Sequence, residues 1–397
     1  MTRCTEYRDV VVVGARCAGA ATAMLLAGAG HDVLAVDRAT FPSDVLSTHG
    51  LVRGGVVQLQ RWGLLDAVLA SGAPAVREVA FHRDGGAVHR TVKERAGVDL
   101  LVAPRRPVLD TLLVEAARSA GAEVREGAGA TELLVDATGR VTGLVVRDRA
   151  GRETEVLARW VIGADGLRSW VARQVDAPVV ESFRADTSTF CTYVEADWPA
   201  YEFHVADRAF AGVFPTHDGA ASVWLERPTG LLADVRAAGR RRLDPWLAQL
   251  DSVAPDLARR VRAGRVRGPL RGVSGLPNHV RVPAGPGWAL VGDAGYHRDP
   301  ITGHGITDAF RDAELLGVAL DCALRDDSQE SDDAAVRRYR WERDVALRTT
   351  FDLTRQIAAF PAPERFVELQ VGLSEALETE ALDLASRPLP FRAASAA

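Results

Sequence analysis

The stretch DVVVVGARCAGAATAMLLAGAGHDVLAVD, Asp9 to Asp37, decides the fold. Val10-Val11-Val12-Val13 is a short β-branched run with the look of a strand buried on both faces. Gly14-Ala15-Arg16-Cys17-Ala18-Gly19 follows, then a small-residue helical stretch that closes at Gly28 and Gly30. Val33 to Val36 reads as the next parallel strand, and Asp37 ends it 23 positions after Gly14. This is the layout of a dinucleotide-binding βαβ unit. The first glycine permits the tight turn, and the last brings helix and strand together. The helix N-terminus offers free N–H groups to a pyrophosphate, and the terminal acid accepts ribose hydroxyls. One position departs from the pattern. Arg16 replaces the middle glycine, where a side chain either hinders the phosphates or lies along them as a charged partner. Cys17 is read as a small loop residue and not a redox thiol. Arg38, directly after the acid, joins the candidate cofactor contacts.

Two further glycine–acid clusters lie downstream. Trp160 to Ser169 (WVIGADGLRS) is a strand running into a turn with Asp165 at its tip. Trp288 to Ala294 (WALVGDA) is a strand ending in Gly292-Asp293, followed by Pro300 to Ile306 (PITGHGI). Beyond Gly305 the apolar residues Ile306, Ala309, Phe310, Ala313, Leu316 and Leu320 recur at helical spacing, so a glycine-rich turn feeds a helix N-terminus. Such an end favours partial negative charge, which suits the N1–C2=O edge of a reduced flavin.

In this ordered set of three motifs the chain resembles the class A, para-hydroxybenzoate-hydroxylase-like flavoprotein monooxygenases, over roughly residues 8–325. The resemblance implies FAD as cofactor and NADH or NADPH as transient reductant. It implies that Asp37 holds the adenosine ribose and Asp293 the ribityl or ribose hydroxyls, while Pro300, Gly303, Gly305 and Ile306 line the isoalloxazine. Asp165 then supports FAD binding and nicotinamide docking, in part through structure. Arg105, in Pro104-Arg105-Arg106-Pro107-Val108-Leu109-Asp110, matches the family arginine that meets the FAD phosphate or ribityl region, with Arg106 the second candidate. Thr307 stands where the family often has asparagine. The implied reaction inserts one oxygen of O₂, through a flavin C4a-hydroperoxide, into a small aromatic or polyketide-like substrate. No dedicated acid–base residue is obligatory for that chemistry, and none is assigned.

The implied architecture is α/β: a Rossmann-like FAD-binding domain, an antiparallel substrate sheet and a C-terminal helical segment. The expected boundaries are 1–75, 98–177 and 275–325 for the FAD domain, 76–97 for a β insert joining the substrate domain, 178–274 for the substrate sheet, and 326–397 for terminal helices. In the middle section Tyr201, His204, Phe214, His217 and Trp224 are the candidate substrate contacts. Ala393 to Ala397 are expected to be disordered.

Composition narrows the classes further. Apolar residues make up 47% and charged residues 25%, the balance of a folded protein, and the net charge of −5 lacks the basic surplus of a nucleic-acid binder. Lys93 is the only lysine, and the four cysteines have no metal-ligand or C-x-x-C spacing. No apolar run is long enough to span a membrane, and the N-terminal residues lack the regions of a signal peptide, so a cytoplasmic monomer or homodimer is expected. A disulfide reductase is disfavoured, because a second fingerprint and a cysteine pair are missing. A flavin halogenase is disfavoured because no two tryptophans lie two residues apart. A geranylgeranyl-reductase-like enzyme saturating a double bond, and a flavin-binding protein without turnover, stay open as alternatives.

Overall fold

The computed structural model describes residues 4–326 and 328–389. The β-branched runs of the opening segment build its centre. Strand Cys4–Val13 pairs in parallel with Val33–Asp37 on one side, Val10 opposite Val33, and with Glu153–Gly163 on the other. Glu123–Glu126 and Trp288–Leu290 continue the parallel order outward. Val10 to Val12 and Val33 to Ala35 are fully buried, because helices cover one face and an antiparallel meander, Gly129–Val135 with Val141–Arg147, covers the other. Helix Cys17–Gly28 is buried along almost its whole length between the sheet and the helices Arg106–Ser119 and Gly305–Arg325. Its alanines and glycines allow that close approach.

The second layer is a seven-stranded sheet. Thr187–Glu195, Tyr201–Ala206, Ala209–Pro215, Ala220–Pro228 and Arg265–Ser274 form its antiparallel body. The hairpin Glu78–Arg83 and Gly86–Thr91 extends it, pairing in parallel with Tyr201–Ala206. Two features depart from the sequence reading of this region. Val179–Arg184 leaves the large sheet and pairs with Pro277–Arg281, which in turn pairs with Tyr296–His297. Residues 229–263 are also not strands: helices Ala233–Ala237, Leu243–Val253 and Pro255–Ala263 lie there. Trp246, Leu250, Leu257 and Val261 recur at helical spacing and bury against the sheet's outer face, on Val213, Val223 and Leu225.

Helices Gln329–Ile357 and Pro363–Ser386 pack back over both layers. Tyr339 donates its hydroxyl to the Leu290 carbonyl at 2.7 Å, and Arg311 pairs with Glu380 at 3.0 Å, so the tail is tied to the Gly292-Asp293 turn and to helix Gly305–Arg325. Among the described residues no helix is long and apolar enough to cross a membrane. Ala393 to Ala397 lie outside the described residues.

Candidate flavin site

A cavity of about 860 Å³ opens between the parallel sheet and the inner face of the seven-stranded one. Gly14, Arg16, Cys17, Ala18, Asp37, Arg38, Asp165, Asp293, Pro300, Gly303, Gly305 and Ile306 all line it. Gly19 and Gly292 do not line it but shape its turns. A Cβ on Gly19 would stand 1.8 Å from the Gly14 carbonyl oxygen, and one on Gly292 3.1 Å from the Ala18 methyl. Gly14 itself has φ +99°, and a Cβ there would meet the Ala164 carbonyl oxygen at 2.5 Å.

Two helix ends face the cavity without side-chain caps. Helix Cys17–Gly28 begins after Arg16 with no capping hydrogen bond and no acid in its first turn, leaving its N–H groups for an anion. Helix Gly305–Arg325 likewise begins after an uncapped His304. Asp37 accepts from the Ala15 and Ala39 amides, each at 2.8 Å, which fixes its carboxylate at the strand end.

The arginines are arranged around a residue the sequence reading quoted but did not assign. Asp110, with no exposed side-chain surface, accepts from Arg16 at 2.7 Å and from Arg106 at 3.0 and 3.1 Å. Arg16 also donates to Ser43 Oγ at 2.8 Å. Two guanidiniums are thus held at the cavity wall beside an uncapped helix start, an arrangement suited to a diphosphate. The first-ranked Arg105 is elsewhere. It precedes the helix Arg106–Ser119 in extended conformation, and its guanidinium lies over the Tyr193 ring, 4.8 Å from the centroid. Arg106, the first residue of the helix, reaches Asp110 one turn on and lines the cavity in its place. The i, i+4 spacing of Arg106 and Asp110 was the available sequence signal.

Asp165 serves its own turn as well as the wall. It accepts from Ser169 Oγ at 2.5 Å and from the Trp170 and Val171 amides at 2.5 and 3.2 Å, capping helix Trp170–Gln174. Burial raises the Asp293 carboxyl above its usual range, as expected for an acid that waits on hydroxyl donors. Cys17 is not in the loop but opens the helix, buried with Sγ 3.2 Å from Asp110, and burial pushes its thiol far up, which disfavours the reactive thiolate.

Near the Pro300–Ile306 turn the wall is polar and buried. His304 Nε2 and Arg298 Nη1 are buried without protein partners, while the rest of the Arg298 guanidinium grips Asp308 at 2.8 and 3.1 Å. Burial, reinforced by Arg298, holds His304 down at about 4, and burial with Arg106 and Arg105 nearby holds His49 down at about 3. Both rings are therefore neutral at physiological pH. Asp299 accepts from Thr187 Oγ1 at 2.5 Å and from the Ile301 amide at 3.1 Å. Beside it, burial and the Asp299 charge raise the Glu226 carboxyl well above the carboxylate range. An orphaned Arg298 donor and an orphaned His304 acceptor here, with uncapped amides at the other end, fit a coenzyme with a polar ring system and a diphosphate. Nothing but position in space joins His49, Arg298 and His304, so sequence reasoning missed them.

The substrate candidates are not at the cavity surface. Tyr201, Phe214 and Trp224 pack among themselves with Phe203 and Phe210, with ring centroids 4.6 to 6.4 Å apart, under Phe366 of the C-terminal helix. His217 bonds Ser71 Oγ at 3.0 Å, and His204 lies on the outer face of the sheet beside Glu202. The inner face instead presents Thr189 and Cys191 to the cavity, the latter with its thiol raised by burial to about 12. Strand alternation explains His204, which shares the outer face with Glu202; Tyr201, Phe214 and Trp224 are on the inner face with Cys191 but are covered there by Phe366 and its neighbours.

Comparison with known proteins agrees with this geometry. The family described as FAD binding domain matches residues 7–352. Digeranylgeranylglycerophospholipid reductase 1 of Methanopyrus kandleri is 32% identical over 377 residues, covering 88% of this chain and 89% of that protein. Menaquinone reductase of Mycobacterium tuberculosis is 30% identical over 334 residues, covering 80% and 77%. The crystal structure of P. aeruginosa PqsL in complex with 2-aminobenzoylacetate superposes with a TM-score of 0.79 at 22% identity, covering 92% of this chain and 99% of that one. With the three glycine–acid turns converging on one cavity, the chain belongs to the FAD-binding-domain family of class A flavoprotein oxidoreductases.

Proposed function

We propose that this flavoprotein is an NAD(P)H-dependent monooxygenase that places one oxygen atom of O₂ on a small, aromatic or polyketide-like molecule. The observation that carries the reading is the cavity of about 860 Å³ beside the Pro300–Ile306 turn, backed on its Gly50 side by a packed layer of rings. Behind Gly50, where a Cβ would stand 2.8 Å from the Phe214 ring, the inner sheet face is filled by Phe210, Phe214, Trp224 and Tyr201 and closed by Phe366. Such a layer keeps water out from that side of the cavity and suits a compact substrate there. FAD, when bound, supplies hydride acceptance and O₂ activation. The chain's own residues hold it: Asp37 at the ribose, Arg16 and Arg106 with the uncapped helix start at the diphosphate, Asp293 at the ribityl hydroxyls, and the 300–306 turn at the ring. Because one dinucleotide fingerprint is present, the nicotinamide docks transiently and leaves.

A second reading, reduction of an isoprenoid double bond, is favoured by the names of the two curated relatives. It requires the packed rings of the inner face to part for a long chain. The two are separated by one assay on the purified holoprotein with NADH or NADPH, offered aromatic acids, polyketide-like phenols and menaquinone in turn. Substrate-dependent O₂ uptake with a product heavier by one oxygen supports the monooxygenase. A product heavier by two hydrogens, formed without O₂ uptake, replaces it with the reductase. Flavin that stays oxidised under every combination points to a protein without turnover.

A further inference from the structure

On the far side of the seven-stranded sheet, away from the flavin cavity, three ligating side chains converge. His82 and His204 are direct neighbours on the parallel-paired strands Glu78–Arg83 and Tyr201–Ala206. Their rings stack with centroids 4.1 Å apart and planes 6° from parallel. Glu202, two residues before His204 and on the same face, directs Oε2 to both rings, 3.4 Å from His204 Nε2 and 3.8 Å from His82 Nε2. Among the described residues this is the one cluster of three or more histidine, cysteine or acidic side chains whose ligating atoms all lie within 4.8 Å of one another.

We propose that His82, His204 and Glu202 form a binding site for a divalent transition cation of the zinc class, with its fourth position open to solvent. Bonds of about 2.0–2.2 Å in a tetrahedral shell set neighbouring ligand atoms roughly 3.3–3.5 Å apart, close to the 3.4 and 3.8 Å between Glu202 Oε2 and the two rings. Because a ring lone pair lies in the ring plane, the stacked, half-buried His82 ring turns out of the stack when it ligates. His82 Nε2 is buried and has no hydrogen-bond partner, which is how a free ligand atom looks. Arg260 donates to both Glu202 oxygens at 2.8 Å while its guanidinium rests on Trp198, 4.3 Å from the ring centroid. It takes one lone pair from each oxygen and orients the carboxylate, leaving Oε2 a lone pair for the ion. The site opens on a cleft of about 790 Å³ with Glu78 and His89 at its mouth. Two imidazoles and one carboxylate suit zinc, cobalt or nickel and not magnesium or calcium. Bound metal would clip the 78–91 hairpin to the sheet body.

The test titrates chelator-washed holoprotein with zinc chloride by calorimetry and with cobalt chloride by visible absorption. Expected are one zinc ion per chain, a rise in melting temperature, and a cobalt spectrum without a thiolate charge-transfer band, since Cys4 and Cys322 are exposed and could otherwise bind. His82→Ala and His204→Ala should each weaken binding at least ~10-fold, whereas His31→Ala, remote and paired with Asp321, should not. Retained flavin absorbance certifies that each variant is folded, and should one fail to fold, the other decides. Absence of stoichiometric zinc binding, binding that survives His82→Ala, or a thiolate band would overturn the proposal and leave a hydrogen-bonded His–Glu–Arg cluster only.

Discussion

Removing Asp110 tests the phosphate end of the site most directly. Its carboxylate, with 0% of the side chain exposed, is the shared partner of Arg16, 26% exposed, and Arg106, 13% exposed. Asp110→Ala would leave two guanidiniums facing each other across the cavity wall. Breaking a buried pair by deleting one partner costs ~3–5 kcal/mol. Both arginines border an open cavity and recover some hydration, so ~2–4 kcal/mol is expected. At roughly 2 °C per kcal/mol for a chain this large, the apoprotein should melt ~4–8 °C lower than wild type. With FAD bound the deficit should shrink, because the diphosphate supplies the lost negative charge and stabilises the native state by mass action. Asp110→Asn, which keeps an acceptor, should fall between. The assay is thermal unfolding by circular dichroism on deflavinated and reconstituted samples of all three proteins. An apoprotein shift under ~1 °C, or an equal deficit with and without FAD, would refute the assignment of this arginine pair to the phosphates.

Three further outcomes follow from single residues. Asp293→Ala should purify pale, with flavin stoichiometry well below wild type by absorbance, since a buried hydroxyl loses its acceptor; full stoichiometry removes Asp293 from the ribityl contacts. Gly19→Ala should destabilise the protein by ~1–3 kcal/mol or abolish soluble expression, read as a lowered melting temperature, because its methyl group would enter the Gly14 carbonyl. Glu226 is protonated in the fold because burial and Asp299 raise its pKa, so its contribution to stability is complete below the ordinary carboxylate range and declines as pH rises toward the folded value. Glu226→Gln should therefore flatten the fall of melting temperature as pH rises above the ordinary carboxylate range; an unchanged slope would refute the raised pKa of Glu226.

Local pattern and tertiary contact contributed differently to these conclusions. Val10–Val13, Gly14, Gly19 and Asp37 lie within one βαβ unit, whose geometry follows from steric rules that act over a few residues, and the parallel sheet follows from it. The Gly163–Gly166, Gly292-Asp293 and Pro300–Ile306 turns were recognisable for the same reason: each is a strand end that needs a tight backbone, and the structure brings all of them to one cavity. The helices between residues 233 and 263 were legible in principle, through the spacing of Trp246, Leu250, Leu257 and Val261, but the alternation of the flanking strands masked it.

What no local rule contains is which side chains meet across the fold. Arg105 and Arg106 are interchangeable on paper; the helix start at Arg106 turns one toward Tyr193 and the other toward Asp110. The rings of Tyr201, Phe214 and Trp224 resemble substrate contacts in sequence, and only the packing of the C-terminal helix makes them a closed wall. His82 and His204 stand 122 positions apart and become neighbours through the register of two parallel strands. The sequence alone determined the backbone turns, because sterics is local. The identity of each contact belonged to the tertiary structure, because burial and charge pairing act between residues that only folding brings together.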